Sequence, residues 1–357
     1  MSFSFSFSFS YARNSAQIVF GAGARHRVGD WVEKLGKRHA LVLSTPQQAD
    51  LAKSVAGTLA KSAAGIFAKA AMHTPVEITE AAVAFADDAK ADCLVSVGGG
   101  STTGLGKAIA LRTGLPQIVI PTTYAGSEVT DILGQTERGA KTTLRDRRIL
   151  PDVVLYDPEL TLGLPVALSV TSALNAMAHA AEGLYAQNGN PVTSLMAGEG
   201  LRTLHKSLPK IVARPGDIEA RSDALYGAWL CGTVLGSVAM ALHHKLCHTL
   251  GGTFDLPHAE THAVLLPHTI GFNAGAAAEM LAPLTKIIGL PAGGNLFDFA
   301  RSLGAPASLR EIGLKESDLD RAARLATASP YENPRPFDEA DIRSLLKSAW
   351  AGARPKD

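Results

Sequence analysis

Two segments, NAMAH at 175–179 and HHKLCHTLGGTFDLPH at 243–258, gather side chains that can do chemistry. On a helix, Asn175 and His179 are i,i+4 neighbours on one face, with Glu182 close to the same stripe. His244 and His248 repeat that spacing toward the end of a long apolar segment, which Gly251 and Gly252 are expected to terminate. A short loop then delivers His258 to the head of the next helix, with His262 one turn further on. His243, Lys245 and His268 add to the local density. Eight of the eleven histidines fall between 179 and 268, too many for scattered core or surface residues, so the segment reads as a pocket.

One carboxylate with three histidines is ordinary chemistry for zinc or iron(II). Here the place where the acid is expected carries Asn175, whose amide oxygen is a poor ligand for these ions and removes a full negative charge. The imidazoles could instead serve an anionic substrate, donating hydrogen bonds or carrying charge. His248 and His262 are the candidates for supporting or proton-transfer work, and the sequence does not rank His248 against His243 as the proton donor.

A second cluster has a different composition. VSVGGGSTTGLGKA places Gly98, Gly99 and Gly100 between an apolar strand and a helix. Such glycines let a phosphate approach the backbone, and the N–H groups opening the helix then face the anion. Ser101 and Thr102 add hydroxyl donors, although a simple tight turn would use the same residues. The neighbouring strand ends in IPTTYAGSE at 120–128, bringing Thr122, Thr123 and Ser127. Two small-residue loops at the carboxyl ends of parallel strands are where open α/β sheets bind dinucleotides. After the strand HALVLS come Thr45, Pro46 and Gln47, none acidic, so NADPH should be tolerated as well as NADH.

These clusters need elements to hold them. Short apolar runs alternate with helical patterns over residues 20–160, which predicts a parallel sheet covered on both faces. From 161 onward, long Ala- and Leu-rich segments (165–186, 192–207, 217–250, 258–289, 294–303 and 316–328) read as a helical bundle. The expected domains are therefore 1–160, a Rossmann-like α/β unit, and 161–357, all-helical. The chain's 357 residues, 46% apolar and 19% charged, fit a two-domain globular protein. A net charge of +1 indicates no nucleic-acid or anionic-membrane surface. Cys93, Cys231 and Cys247 form no paired framework, as in a reducing cytoplasm. The run at 224–242 approaches membrane-span length, but its Gly, Ala and Ser content reads as a closely packed buried helix. The Phe/Ser alternation of MSFSFSFSFSYARN reads as an edge strand, with a disordered tail as the alternative.

Over almost its full length the chain resembles the iron-containing alcohol dehydrogenase family, and within it the maleylacetate reductase branch. The resemblance rests on GGGSTTGLGKA (98–108), IPTTYAGSE (120–128), LPVALSVTSALNAMAHAAEGLYA (164–186), HHKLCHTLGGTFDLPHAETHAVLLPH (243–268) and YENPRP (331–336). It implies a dehydroquinate synthase-like architecture. The family's metal ligands, an aspartate and three histidines, fall on Asn175, His179, His244 and His258, and a further active-site histidine on His248. Its cofactor contacts fall on Gly98, Gly99, Gly100, Ser101, Thr122, Thr123, Ser127 and Lys141, and the family commonly has an acid at Thr45. The family often has Asp where this chain has Gly104. Asn175 and Gly104 look like the departures of the branch that works without bound metal on NADH or NADPH. The resemblance implies reduction of the dicarboxylate 2-maleylacetate to 3-oxoadipate by a cytoplasmic homodimer active in aromatic-compound breakdown. His179, His244, His248 and His258 are the expected catalytic residues, with Asn175, His243, Lys245 and Tyr124 around the substrate. Packing is an equal role for Tyr124, and Arg335 pairs either with a substrate carboxylate or within the C-terminal region. The competing readings are a metal-dependent alcohol or polyol dehydrogenase and a dehydroquinate synthase-like lyase.

Overall fold

The structure, a computed structural model, describes residues 9, 11, 16–137 and 140–357; the side chains of 140 and 141 fall outside the description. The N-terminal Phe/Ser strand and the Lys141 side chain therefore lie outside the described residues. Two compact units emerge, and among residues from 16 onward the sheet unit comprises 16–164 and 216–225. The helical unit comprises 165–215 and 226–357, so the expected break at 160/161 moves to Leu164/Pro165 and a ten-residue piece of the helical half groups with the sheet.

The sheet unit follows β1 (Gln17–Phe20), α1 (Val28–Lys34), β2 (Ala40–Leu43), α2 (Ala49–Leu59), β3 (Ala63–Phe67), α3 (Val76–Asp88), β4 (Cys93–Gly98), α4 (Gly100–Thr113), β5 (Gln117–Pro121), β6 (Ile132–Glu137), β7 (Ala140–Arg145) and β8 (Val153–Tyr156). Six strands form a parallel sheet in the order β1-β8-β5-β4-β2-β3. All six residues of β4 are buried, because Val95 and Val97 pack under α1 and α2 while Leu94 packs under α3 and α4. This explains why the strand reads as a continuous apolar run. The chain builds outward from β2 to β3, then crosses back to place β4 on the other side of β2. The carboxyl ends of β2 and β4 thus flank the point where strand order reverses, the ligand position of doubly wound sheets. β6 and β7 form a separate antiparallel hairpin that the sequence pattern did not suggest.

The helical unit contains α5 (Val166–Gly183), α6 (Pro191–Ala213), α7 (Ile218–Ser237, its first residues in the sheet unit), α8 (Leu242–Phe254), α9 (His258–Asn273), α10 (Ala282–Ile288), α11 (Ala292–Ser302), α12 (Leu319–Thr327) and α13 (Glu339–Ala351). A core of leucines from α8, α9, α12 and α13 supports the histidine-bearing helices. α6 and α7 touch backbone to backbone: a Cβ on Gly200 would lie 3.1 Å from the Gly227 carbonyl, and one on Gly227 would lie 3.1 Å from that of Gly200. The small residues of 224–242 serve this close approach. Among the described residues no single helix is long and apolar enough to cross a membrane, and α7 and α8 are bent 94° apart.

The expected continuous helix 217–250 is broken. The Asn188 side chain takes the Ala239 amide at 2.7 Å, and a new helix starts at Leu242. Nor do Gly251 and Gly252 end α8; it runs to Phe254 and stops at Asp255, which adopts φ 54°. The 258–289 segment is similarly divided between α9 and α10.

Candidate active site

Each unit carries one cluster. In the sheet unit, Gly99 precedes α4 in an extended conformation and no side chain caps that helix. Its first N–H groups are therefore presented to an anion. The turn is closed to any larger residue. Gly98 has φ 154°, and a Cβ there would lie 2.5 Å from Thr102 Oγ1 and 2.7 Å from Gln48 Oε1. A Cβ on Gly99 would lie 2.9 Å from the Thr123 methyl, whereas Gly100 faces open space. Gly98→Ala should raise the dinucleotide KM about tenfold or more (on the order of 1.4 kcal/mol) by displacing Gln48 or Thr102; an unchanged KM would show that the turn is structural only.

Gln48 was missed by reasoning that stopped at Thr45, Pro46 and Gln47. Thr45 lies just ahead of the short 3-10 turn 46–48. The Gln48 amide donates to Thr122 Oγ1 at 2.8 Å, tying the end of β2 to the end of β5. Ser127 is held from behind by Lys107, whose buried Nζ donates to the Ser127 carbonyl (2.6 Å), Thr130 Oγ1 (2.9 Å) and the Ile132 carbonyl (2.9 Å). Burial pushes the Lys107 ammonium down to about 7. The Gly104 departure has a steric reason: the Thr74 hydroxyl occupies the space its Cβ would need. Tyr124 is fully buried, and its hydroxyl accepts from the buried Arg221 at 3.3 Å. It thereby ties its loop to Arg221.

In the helical unit, six imidazoles form a contiguous nest. His258 and His248 are exposed, whereas His179, His243, His244 and His262 are buried. Ring centroids lie 4.5 Å apart for His258–His262, 4.9 Å for His243–His262, 5.1 Å for His244–His262, 5.2 Å for His179–His244 and 6.1 Å for His244–His248. Glu182, 1% exposed, organises the nest. Its carboxylate accepts the first-turn amides of α8, from His243 (2.7 Å) and His244 (3.3 Å), and the His244 Nδ1–H (2.5 Å). The break at 238–241 thus creates a helix N-terminus that a carboxylate from α5 caps. Although burial raises a carboxyl pKa, His244 and the amide donors bring that of Glu182 below its ordinary value.

Several expectations change here. Burial holds His179 and His262 well below the usual histidine range and His243 down to about 3, with the neighbouring imidazoles acting in the same direction. These three are neutral near pH 7, not cationic as one reading of the sequence allowed. His243 has a protein partner on each ring nitrogen. The Thr269 hydroxyl donates to the Leu265 and Leu266 carbonyls, so it accepts from His243 Nδ1–H (3.0 Å). His243 Nε2 is then the acceptor for His262 Nδ1–H (2.9 Å). Lys245 Nζ lies 5.8 Å from the Tyr331 ring centroid. Arg335 stacks on Phe272 at 4.0 Å and pairs with Asp341, fulfilling the C-terminal alternative. His268 packs edge-on to Phe297, its pKa lowered by burial to about 4.

What remains is a buried polar cluster whose one carboxylate, Glu182, is already committed. Asn175 Oδ1, His179 Nδ1, His244 Nε2 and His262 Nε2 have no protein partner. Four such atoms are costly unless a ligand pairs with them. The family's acid is missing from this donor set. Asn175 supplies no carboxylate, and Glu182 is committed to His243 and His244. Among the described residues, the only three-donor convergence within 4.8 Å is His243, Cys247 and His262, not the family's positions.

One unit with a parallel sheet and an uncapped glycine turn at its switch point, and another carrying a histidine cluster, are the parts of a dinucleotide-dependent oxidoreductase. The chain belongs to the iron-containing alcohol dehydrogenase family: the profile "Iron-containing alcohol dehydrogenase" matches residues 15–158, and "Fe-containing alcohol dehydrogenase family, C-terminal" matches 169–350. Among its relatives, a maleylacetate reductase from Rhizobium sp. (strain MTP-10005) is 62% identical over 97% of this chain and 99% of that protein. One from Burkholderia cepacia is 52% identical over 95% and 97%. The crystal structure of maleylacetate reductase from Agrobacterium tumefaciens, 62% identical, superposes with a TM-score of 0.95, covering 98% of this chain and 99% of that one.

Proposed function

We propose that this chain is a maleylacetate reductase, reducing the C=C bond of 2-maleylacetate with NADH or NADPH to give 3-oxoadipate, without a resident metal. One observation carries the reading: the pocket offers four buried, unpartnered polar atoms and no free carboxylate. Such a pocket suits a dicarboxylate that an aspartate at 175 would repel.

The Gly98–Ser101 turn, Thr122, Thr123 and Ser127 would hold the reduced nicotinamide dinucleotide, which when bound would supply hydride for the carbon β to the ketone. The substrate is an enone, so negative charge moves to the ketone oxygen as an enolate. His244 stabilises that charge. Glu182 accepts from its Nδ1–H and orients the ring, leaving Nε2 without a protein partner to meet the substrate oxygen. Asn175, His179 and His258 hold the carboxylates. Protonation of the α carbon, with His248 as donor, completes the addition of hydride and proton to the double bond. An aldehyde reductase lacks this delocalisation and benefits more from a Lewis acid. The protein acts as a homodimer in a reducing cytoplasm, consistent with three free cysteines.

The test is NADH and NADPH oxidation with maleylacetate, using protein exhaustively treated with chelator. Full turnover in the absence of metal is the expected result. Activity that vanishes and returns with metal would assign His179, His244 and His258 to a metal and favour the metal-dependent dehydrogenase.

A further inference from the structure

We propose that His243, Cys247 and His262 form a binding site for a thiophilic divalent cation of the zinc class, separate from the family's ligand positions. Cys247 Sγ lies 3.6 Å from His243 Nε2, which lies 2.9 Å from His262 Nδ1. A tetrahedral zinc with bonds of about 2.3 Å to sulfur and about 2.05 Å to nitrogen needs S···N of about 3.6 Å and N···N of about 3.3 Å. The first distance is already met. The second requires the imidazoles to part by a few tenths of an ångström, as the cation replaces the proton between them.

The hydrogen bonds favour this exchange. His243 is held as the Nδ1–H tautomer by Thr269, so its Nε2 lone pair already points at the cluster. His262 carries its proton on Nδ1, and its Nε2, buried and without a partner, can receive that proton. Binding therefore releases one proton, from the Cys247 thiol, while the His262 proton moves within the ring. No oxidant or reductant is needed. Two imidazoles and one thiolate form a soft donor set that selects zinc-class ions over magnesium or calcium. The exposed His258, whose ring lies 4.5 Å from that of His262, marks the approach from solvent. Cys247, 1% exposed and packed in the leucine core, has no part in the proposed reaction.

Cobalt(II) titration of chelator-treated, full-length protein tests the site. One cobalt per chain is expected, with an intense near-ultraviolet sulfur-to-cobalt charge-transfer band that zinc abolishes by displacement. The band should persist in Cys93→Ser and Cys231→Ser and disappear in Cys247→Ser, whose zinc affinity should fall about tenfold or more. Circular dichroism and retained maleylacetate turnover establish that the variant is folded; should it not fold, Cys247→Ala and the wild-type band provide the same test. Cobalt bound without a sulfur band, a band that survives in Cys247→Ser, or no cobalt bound by the wild type would overturn the proposal.

Discussion

Replacing Glu182 by Gln should lower kcat for maleylacetate reduction about 100-fold or more, the scale of a lost proton-transfer or charge-stabilising group. The amide keeps the volume but withdraws the negative charge beside His244 Nδ1, 2.5 Å away. Without that carboxylate the imidazole loses the strong acceptor that fixes its orientation toward the enolate oxygen. One amide oxygen must also serve acceptor duties that two carboxylate oxygens share with His243 N, His244 N and His244 Nδ1. Stability should fall by about 1–3 kcal/mol for Gln, and more for Ala, which leaves the α8 amides uncapped in the core. The informative measurement is kcat and KM alongside the melting temperature. Loss of stability with kcat intact would reduce Glu182 to a helix cap.

Asn175→Asp should raise KM for maleylacetate about 10- to 100-fold with a smaller change in kcat. Asn175 is 2% exposed and its Oδ1 has no partner, so a carboxylate there would stand unscreened against an incoming dianion. Like charges a few ångströms apart at an effective permittivity near 20 repel by up to about 4 kcal/mol, and the expected KM change uses roughly half of that. The same substitution restores the family's acid-plus-three-histidine set, so zinc affinity at His179, His244 and His258 should increase. An unchanged KM would mean that charge did not drive the loss of the aspartate.

Much of the chemistry is legible in the residue order. The strand–glycine–helix turn at 93–113 follows from a continuous apolar run meeting three glycines, because glycine favours neither regular conformation and readily adopts the turn between them. The i,i+4 spacing of Asn175 with His179 and of His244 with His248 placed these side chains on helix faces, since the helical period is local. Boundaries and partners are another matter. Nothing within 217–250 announces that Asn188, fifty-one residues before Ala239, will take its amide and break the helix. Glu182 lies on the stripe of His179, yet its role as cap of α8 and acceptor for His244 depends on two helices packing. The four short strands 17–20, 132–137, 140–145 and 153–156 escaped notice, because strands this short carry little period of their own.

Sequence by itself determined the two-part architecture, the glycine turn, the histidine-bearing helices and the family. All of these rest on local periodicity and residue type. Only the tertiary structure decided which histidines burial keeps neutral, that His243 pairs with Thr269 and His262, and that Tyr124 pairs with Arg221. Those outcomes depend on desolvation and on hydrogen-bond partners drawn from distant parts of the chain, and neither is encoded in the spacing of residues along one helix.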